Sequence, residues 1–411
     1  MPKPIIIRAE TLYDGRALLK DMTVVVEDGN ITEVRRRSAK ADYSGIVTPA
    51  FIDPHSHIGM HRAGEPGSEG ESNDITDQFL PANNPLNSVY FDDPALAEAA
   101  DFGFLYSCIV PGSGNLLGGR AVVIRNFARD RAEAMVKDYG FKMALGFNPR
   151  STGAWKGSRP NTRMGVYGML EKRFDSALAK KQKADLAREK KLRELDQKAK
   201  DRKSRLSPKD IKEQRQAIEA EYALEFDTED KAFLELLVDK KTAKIHVHKE
   251  DDVLYLIELA KRYQLTCTAD HCGDVHRTEV FDALAEADIP VVYGPLGSLA
   301  YKVELKNDSY KNTEKLMRSR AFYGLMTDHP VIMAPALRDS LKFFMIFGLG
   351  PAEAISLITH KNAVILGLDD RLGTVEPGKW ASLVVWDRDP LHLAAYPKMV
   401  MAEGKVIREG R

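Results

Sequence analysis

Hydrophobic positions near the start of the chain fall into short runs rather than a long helical repeat. Residues 5–7 and 22–27 form two such runs, and the dipeptides Asp14-Gly15 and Asp28-Gly29 provide turn residues after each. This pattern predicts a small β unit over residues 1–48.

From residue 45 onward, apolar runs of strand length alternate with segments long enough for helices. The strand candidates are residues 46–52, 105–110, 121–124, 141–145, 244–247, 266–269, 291–293 and 323–326. Alternation of this kind is typical of a parallel sheet covered by helices. Eight candidates predict an α/β protein with a (β/α)8 TIM barrel, which we place at residues 49–371.

The end of the chain returns to β signals. Residues 382–386 and 398–402 are apolar runs, and Glu403-Gly404 is a turn signal. Chain termini of a domain often lie close together. We therefore expect residues 372–411 and residues 1–48 to form one small composite β-sandwich.

A charged segment interrupts the barrel pattern. Residues 171–220 contain 17 Lys and Arg and 10 Asp and Glu, against 29% charged residues in the whole chain. Ser207, followed by Pro208 and Asp210, has the pattern of a helix N-terminus. The sequence predicts a charged helical hairpin inserted in the barrel domain over residues 171–235. Its interleaved acidic residues disfavour the alternative, a nucleic-acid-binding surface.

Composition narrows the class of partner. Sixty Lys and Arg balance sixty Asp and Glu, so charge gives no reason to expect nucleic acid or an anionic membrane. Three cysteines are too few for a disulfide framework and indicate a reducing compartment. Only three isoleucines precede Arg8, a run too short for a signal sequence or a membrane span. We expect a cytoplasmic protein without a membrane partner, and we leave homo-oligomerisation open.

Two histidines stand at the end of the first barrel strand. The segment from Thr48 to His57 ends in His55-Ser-His57. Residues i and i+2 of a strand face the same side, so both imidazoles can point into the barrel mouth, where a divalent metal accepts them. A single pair of this kind is equally well explained as two surface histidines.

Histidines recur where later strands end, which favours a metal site. The segments are Lys244-Ile-His246-Val-His248, Ala269-Asp270-His271-Cys272 and Thr327-Asp328-His329-Pro330. The carboxyl ends of barrel strands form one face, and active sites of barrel enzymes are built there. A set of buried core histidines does not account for this placement together with an aspartate.

The order of an HxH pair, two further histidines and an aspartate on successive strands resembles the amidohydrolase superfamily, and in detail its imidazolonepropionase-like branch. The resemblance covers nearly the whole chain. Segments 45–59, 244–252, 266–273 and 324–331 are similar to the motifs of the first, fifth, sixth and eighth strands, and segments 362–367 and 372–387 to the closing part of the family.

The resemblance implies a metal ion bound by His55, His57, His246 and Asp328. Zinc is the expected ion, with iron or manganese as alternatives. Asp328 is also the expected proton acceptor for the metal-activated water. His271 is implied as a ligand of a second metal in binuclear relatives or as a catalytic group in mononuclear ones.

Other residues of the mouth are expected to contact the substrate. His248 faces the same mouth as His246 and is expected to act in catalysis. Asn148, Arg150, Arg163 and His329 are substrate-binding candidates, because they follow the fourth and eighth strands. An arginine could bind a substrate carboxylate with two hydrogen bonds, and surface ion pairing is the alternative.

The number of metal ions is expected to be one. Relatives often carry a carboxylate or a carboxylated lysine at the end of the fourth strand, which bridges two cations. At that position this chain has Phe147, and a phenyl ring cannot neutralise two cations. A second metal bound through His271 is the alternative.

The expected enzyme is a metal-dependent amidohydrolase that cleaves a C–N bond of a cyclic amide or a related small molecule. Peptide bonds are the less expected substrate, and a prolidase-like dipeptidase or an N-acyl-amino-acid hydrolase is the alternative. An alternative of another class is a non-catalytic barrel that serves as a scaffold. A scaffold would be expected to have lost a ligand, and His55, His57, His246 and Asp328 are all present.

Overall fold

The computed structural model describes residues 3–36, 40–62, 70–151, 157–201, 206–298 and 302–410. The strands in these residues are β1 (Ile5–Tyr13), β2 (Leu18–Glu27), β3 (Asn30–Arg35), β4 (Tyr43–Pro49), β5 (Phe51–Ser56), β6 (Phe104–Ile109), β7 (Leu117–Arg125), β8 (Met135–Ala144), β9 (Thr242–Val247), β10 (Cys267–His271), β11 (Val291–Tyr293), β12 (Tyr323–Leu325), β13 (Leu383–Trp386), β14 (Pro397–Ala402) and β15 (Lys405–Glu409). They form two sheets of seven and eight strands.

Helices connect and cover these strands. They are α1 (Pro94–Asp101), α2 (Arg131–Ala134), α3 (Arg163–Lys200), α4 (Pro208–Leu224), α5 (Thr228–Leu237), α6 (Glu250–Tyr263), α7 (Thr278–Glu286), α8 (Asn312–Arg318), α9 (Ala334–Ser340), α10 (Lys342–Met345), α11 (Pro351–Ser356) and α12 (His360–Leu366). Among the described residues, no helix combines the length and the apolar character needed to cross a lipid bilayer.

The eight-stranded sheet runs in sequence order from β5 to β12 and forms the predicted barrel. It is nearly closed, because the backbone N–H of Asp328 donates to His55 O at 3.1 Å and that of His57 donates to His329 O at 3.1 Å. The buried carboxylate of Asp53, on β5, also joins these two edges of the sheet. It accepts hydrogen bonds from the backbone N–H and the hydroxyl of Thr327, which follows β12. The predicted α/β barrel is therefore confirmed.

One strand of the barrel runs against the others. β7 pairs antiparallel with both β6 and β8, whereas the other neighbouring pairs are parallel. Only residues 110–116 connect β6 to β7, and the short α2 lies between β7 and β8. A parallel connection needs a dozen or more residues, so these links permit only antiparallel neighbours. The expectation of a uniformly parallel barrel is corrected at this strand.

The seven-stranded sheet contains both ends of the chain, as expected. Its order is β15-β14-β13-β4-β1-β2-β3, and β13 pairs antiparallel with β4. The strand candidate at 46–52 is two strands in the structure, because the chain leaves the small sheet at Pro49 and enters the barrel at Phe51. The division into domains at residues 48 and 372 stays a prediction.

The charged helical hairpin is present, but its first helix begins before residue 171. Helix α3 already begins at Arg163, and Val166, Leu170, Phe174 and Ala177 are buried in the core of the barrel. By contrast, α4 has no buried residue, and its N-terminus has the predicted cap, with Ser207 and Asp210 bonded to each other's backbone N–H. The hairpin is thus solvated at its outer part and is part of the barrel packing at its base.

Phe174→Ala tests this division of the helix. Phe174 is fully buried and meets Phe233 and Tyr263 edge to face, so truncation should lower the free energy of unfolding by about 3–5 kcal/mol. Leu186→Ala is the matched control on the same helix, because Leu186 is 62% exposed and its loss should change stability by less than about 0.5 kcal/mol. Urea denaturation measures both, and equal stabilities would show that the base of α3 is not packed as described.

Candidate metal centre

The strand ends bring a group of histidines and one aspartate together at the carboxyl face of the barrel. All of the histidines in this group are buried. Its members are His55 and His57 of the first barrel strand, His246 and His248 at the end of β9, His271 at the end of β10, and Asp328 after β12. Each residue was predicted from the sequence at this face.

Three of the imidazoles are oriented by hydrogen bonds from Nδ1. The acceptors are Asp270 Oδ2 at 2.6 Å for His55, Val110 O at 2.7 Å for His57 and Gly294 O at 3.1 Å for His271. An Nδ1–H that donates to such an acceptor leaves the Nε2 lone pair available for a metal. The buried Nε2 of His271 has no hydrogen-bond partner within the described residues.

Asp328 provides the negative charge beside the first two histidines. Its Oδ1 lies 3.1 Å from His57 Nε2 and 3.4 Å from His55 Nε2. Burial alone would raise the pKa of this carboxyl group, but the hydrogen bond with His57 and the nearby amine of Lys142 lower it below its usual range. Asp328 is therefore ionised at neutral pH, as a metal ligand must be.

The candidate ligand atoms form two groups. Atoms of His55, His271 and Asp328 lie within 4.8 Å of one another, and so do atoms of His246, His248 and His271. His246 was expected in one set with His55, His57 and Asp328, whereas in the structure it lies with His248 and His271. The role of each residue as a ligand stays a prediction.

The second group is electrically neutral. Burial is the main cause that lowers the pKa of His248 to about 3, and burial and neighbouring histidines lower the pKa of His246 and His271 well below 6.5. Neutral imidazoles present the lone pair that a cation binds.

Lys142 is the main residue that sequence reasoning missed. It lies on β8, is buried, and its Nζ is 2.9 Å from His55 Nε2. Burial lowers the pKa of its amine to about 8. The fourth strand thus does place a lysine in the mouth, at Lys142 rather than at the position of Phe147, and the expectation of one ion stays a prediction. In the sequence, the single lysine within the apolar run 141–145 could have indicated a buried functional residue on this strand.

A second buried lysine, Lys244, pairs with Asp270, the carboxylate that accepts the hydrogen bond of His55. Lys244 Nζ lies 2.9 Å from Asp270 Oδ2, the same oxygen that is 2.6 Å from His55 Nδ1. The hydroxyl of Thr268 donates to the other oxygen at 2.5 Å. Burial would raise the pKa of Asp270, but Lys244 and the hydrogen bond with His55 lower it to about 2. Asp270 is a permanent anion that fixes the orientation of His55.

Glu304 is a further carboxylate that the sequence did not indicate. It lies in a short turn after β11, and its side chain is buried against the mouth. Oε1 lies 3.6 Å from His246 Nε2 and 3.9 Å from His248 Nε2. A loop after a three-residue strand carries no pattern from which this placement could be predicted.

The four predicted substrate-binding residues differ in position. Asn148 contacts the site, with Nδ2 3.3 Å from His246 Nε2. Arg150 donates to Gly146 O at 2.9 Å at the rim. His329 is buried, and burial lowers its pKa to about 4.

Arg163 is engaged elsewhere in the fold. Its guanidinium pairs with Asp251 Oδ2 at 3.0 Å and with Asp252 Oδ1 at 3.2 Å, where α3 meets α6. This is the ion-pairing alternative considered for the arginines, and the assignment of Arg163 to the substrate stays a prediction.

A barrel with a histidine-rich carboxyl face has the architecture of metal-dependent barrel enzymes, and known proteins with similar sequences or structures can be compared with it. A model of the Amidohydrolase family matches residues 348–408. The chain is 25% identical over 414 residues to amidohydrolase tasK of Hapsidospora irregularis, covering 93% of this chain and 39% of tasK. It is 30% identical over 158 residues to an imidazolonepropionase of Acinetobacter baumannii, covering 36% of this chain and 38% of that protein.

A solved structure agrees over the full length. The amidohydrolase from Thermotoga maritima MSB8 superposes with a TM-score of 0.85 and 28% identity, covering 99% of this chain and 100% of the other. The chain is therefore similar to amidohydrolases over nearly its whole length, and the predicted resemblance to the amidohydrolase superfamily is confirmed. The matches span about two-fifths of the length of the two curated relatives.

The residues at the mouth fit a divalent metal ion. The set combines neutral imidazoles with an ionised carboxylate, and the unpartnered Nε2 of His271 is a buried acceptor without a protein donor in the described chain. Nitrogen and oxygen ligands of this kind suit zinc, iron or manganese.

Asp270→Asn should weaken metal binding without removing a ligand. An amide holds the Nδ1–H of His55 less strongly, and the loss of such an outer partner typically costs about 10–100-fold in metal affinity. The double variant Asp270→Asn, Lys244→Met removes the lysine left without its counter-ion and should show the same loss. Asp282→Asn, in an ion pair with Arg320 far along α7, is the control. Competition with a chromophoric chelator measures affinity, and wild-type affinity in both variants would contradict the positioning role of Asp270.

Proposed function

We propose that this protein is a metal-dependent hydrolase that cleaves a C–N bond of a cyclic amide or a related small molecule. The observation that carries the proposal is the convergence of Asp328 Oδ1 with the Nε2 atoms of His55 and His57 at 3.4 and 3.1 Å. A divalent cation bound there would lower the pKa of a coordinated water and polarise the bond to be cleaved. The scaffold alternative is disfavoured, because the full set of ligand candidates is present and buried.

The residues around the cation have separable roles in this proposal. Asp328 accepts a proton from the attacking water and returns it to the leaving nitrogen. His271 and His248, on the other side of the mouth, stabilise negative charge that develops on the substrate. Asn148 orients the substrate from the fourth-strand side through its amide.

Lys142 must lose its positive charge before a cation can bind at His55. An ammonium 2.9 Å from His55 Nε2 would occupy that lone pair and repel a divalent ion. Addition of carbon dioxide to the neutral amine gives a carbamate and releases one proton, which replaces the positive charge by a negative one. The resemblance to the amidohydrolase superfamily supports this assignment, because it implies a carboxylated lysine on the fourth strand of many members.

The substrate is proposed to be small. The cleft that adjoins His248 and His271 is narrow, about 20 Å³, and is also lined by Lys302, Asp308 and Val331. A narrow cleft at this side of the mouth favours a compact group over a long peptide. The prolidase-like alternative needs an arginine for a substrate carboxylate; Arg163 is already paired with Asp251 and Asp252, which leaves Arg150 at the rim for that role.

A substrate panel tests the proposed function. Cyclic amides, amidines, N-acyl amino acids and dipeptides should be incubated with protein loaded with zinc or manganese and with chelated protein. Turnover of a cyclic amide only in the loaded protein is the expected result. Turnover confined to dipeptides would favour the prolidase-like alternative, and the absence of metal binding would contradict the proposal.

Asp328→Asn should keep the fold and remove most of the activity. The amide has the shape of the carboxylate but cannot accept the water proton, and a general base typically contributes about 10²–10⁴-fold to the rate. Steady-state turnover on the substrate found in the panel measures the loss, and circular dichroism monitors folding. Asp282→Asn, in an ion pair with Arg320 on α7 and away from the mouth, is the control. Turnover of Asp328→Asn within about tenfold of wild type would contradict the role.

Lys142→Gln should lower both metal content and activity, because glutamine cannot form the carbamate. The loss of activity should be about 100-fold or more, in the range expected when groups that set the charge of a metal site are removed. Lys137→Gln on the same strand is the control, because Lys137 Nζ bonds only to the backbone oxygens of Leu366 and Gly367 among the described residues. Elemental analysis and turnover measure the effect, and unchanged metal content in Lys142→Gln would refute the assignment.

A further inference from the structure

A cavity of about 370 Å³ lies between helix α1, the segment that follows β7 and the edge strand β15. Because β7 runs against the other barrel strands, residues 126–128 after it lie at the amino face of the barrel, opposite the metal centre. None of the described residues that line the cavity belongs to the histidine and aspartate group of the mouth. The volume falls in the range of about 300–1,000 Å³ that is typical of binding sites for small molecules. The cavity is therefore large enough to hold a small molecule at a place separate from the mouth.

The walls of this cavity are largely apolar, and two of its residues are aromatic. Phe91 and Phe127 are partly buried rings packed against the barrel core, and Leu96 and Ala100 of α1 are buried. Ile407 of β15 adds an aliphatic side chain to the lining. Aromatic rings interact favourably with another flat ring. These walls favour a ligand with a flat apolar body.

Asn126 adds one polar group whose orientation is fixed. The side chain is 2% exposed, and its Nδ2 donates to Phe104 O and to Ser107 Oγ, each at 2.9 Å, so both N–H bonds are directed at β6. The amide cannot be turned round, because the carbonyl oxygen of Phe104 can only accept. Oδ1 therefore points away from β6, on the side of the cavity that Asn126 lines, and it has no hydrogen-bond partner within the described residues. A buried acceptor of this kind favours a ligand that brings an N–H or O–H donor.

The charged groups around the cavity have partners within the protein. Asp92 pairs with Arg62 at 3.1 Å, and Arg408 pairs with Asp101. Asp93 caps the N-terminus of α1. A charged ligand would have to compete with these contacts to be paired itself, whereas a neutral ligand leaves them intact.

We propose that this cavity is a second binding site, which takes a small, neutral, flat molecule whose N–H or O–H donates to Asn126 Oδ1. The site goes beyond the proposed function, because no residue of the mouth takes part in it. Indole has the required chemistry, a flat apolar body with a single N–H donor, and it is the probe for the site. Benzofuran is its matched counterpart, with the same ring size and an oxygen in place of the N–H.

The competing account is a surface depression in which water satisfies Asn126 Oδ1. The two accounts make different predictions for the two probes. If a ligand donor bonds to Asn126, indole should bind more tightly than benzofuran by roughly 2–10-fold, the factor that one net hydrogen bond contributes. If the oxygen is only hydrated, the two probes should bind equally or not at all.

Ligand-observed NMR titration of the full-length protein measures both affinities, and three variants locate the site. Ala97 is an exposed position of α1 that lines the cavity, so Ala97→Phe should fill the space and weaken indole binding by more than about tenfold, because an overpacked site must deform to admit the probe. Phe91→Leu removes one aromatic wall and should weaken indole binding by roughly 2–10-fold. Ala179→Phe, at an exposed position of α3, is the matched control and should bind indole like wild type.

The expected result is tighter binding of indole than of benzofuran by wild type, with losses in Ala97→Phe and Phe91→Leu only. Absence of indole binding to wild type, equal binding of the two probes, or unchanged binding in Ala97→Phe would each overturn the proposal. Circular dichroism of each variant checks folding, and Phe91→Leu gives an independent result should Ala97→Phe misfold. The metal content of the variants should equal that of wild type, so failure of this proposal leaves the proposed function in place.

Discussion

The ion pair between Lys244 and Asp270 is the interaction on which the rest of the centre depends. Both side chains are buried inside the barrel, and leaving either charge without its partner would cost about 3–5 kcal/mol. Asp270 in turn orients His55, and His55 contacts both Asp328 and Lys142. A chain of charges therefore runs from the interior of the barrel to the mouth. Its members are brought together only when β5, β8, β9 and β10 are in register.

Register explains why two lysines can be buried side by side. Lys142 on β8 lies opposite Lys244 on β9, and His246 lies opposite Asp270 on β10. Such a pair of cations is tolerated because anions stand on the neighbouring strands. The same arrangement makes the mouth a place of strong local fields in a region of low dielectric, where charge is stabilised far more effectively than in water.

The parts of the site at strand ends could be predicted from the sequence, because strand ends of a barrel share one face. His55, His57, His271 and Asp328 were found in this way. Lys142 could not be predicted in this way because it lies inside the fourth strand rather than at its end, and Glu304 could not because its position depends on a loop. The reversed direction of β7 follows from the shortness of its two connections, which apolar runs alone do not reveal. The base of α3 was misjudged because its few apolar residues lie within a highly charged composition.

The pairing of β13 with β4 has a kinetic consequence. These adjacent strands of the small sheet are separated by more than three hundred positions in the chain, with the whole barrel between them. Contacts this distant in sequence form late, since the loop that joins them must first be closed. During synthesis, the edge of β4 that pairs with β13 would stay unpaired until residues 383–386 leave the ribosome. We expect the barrel to be largely formed by then, so that it holds β4 and the segment that becomes β13 close enough to pair.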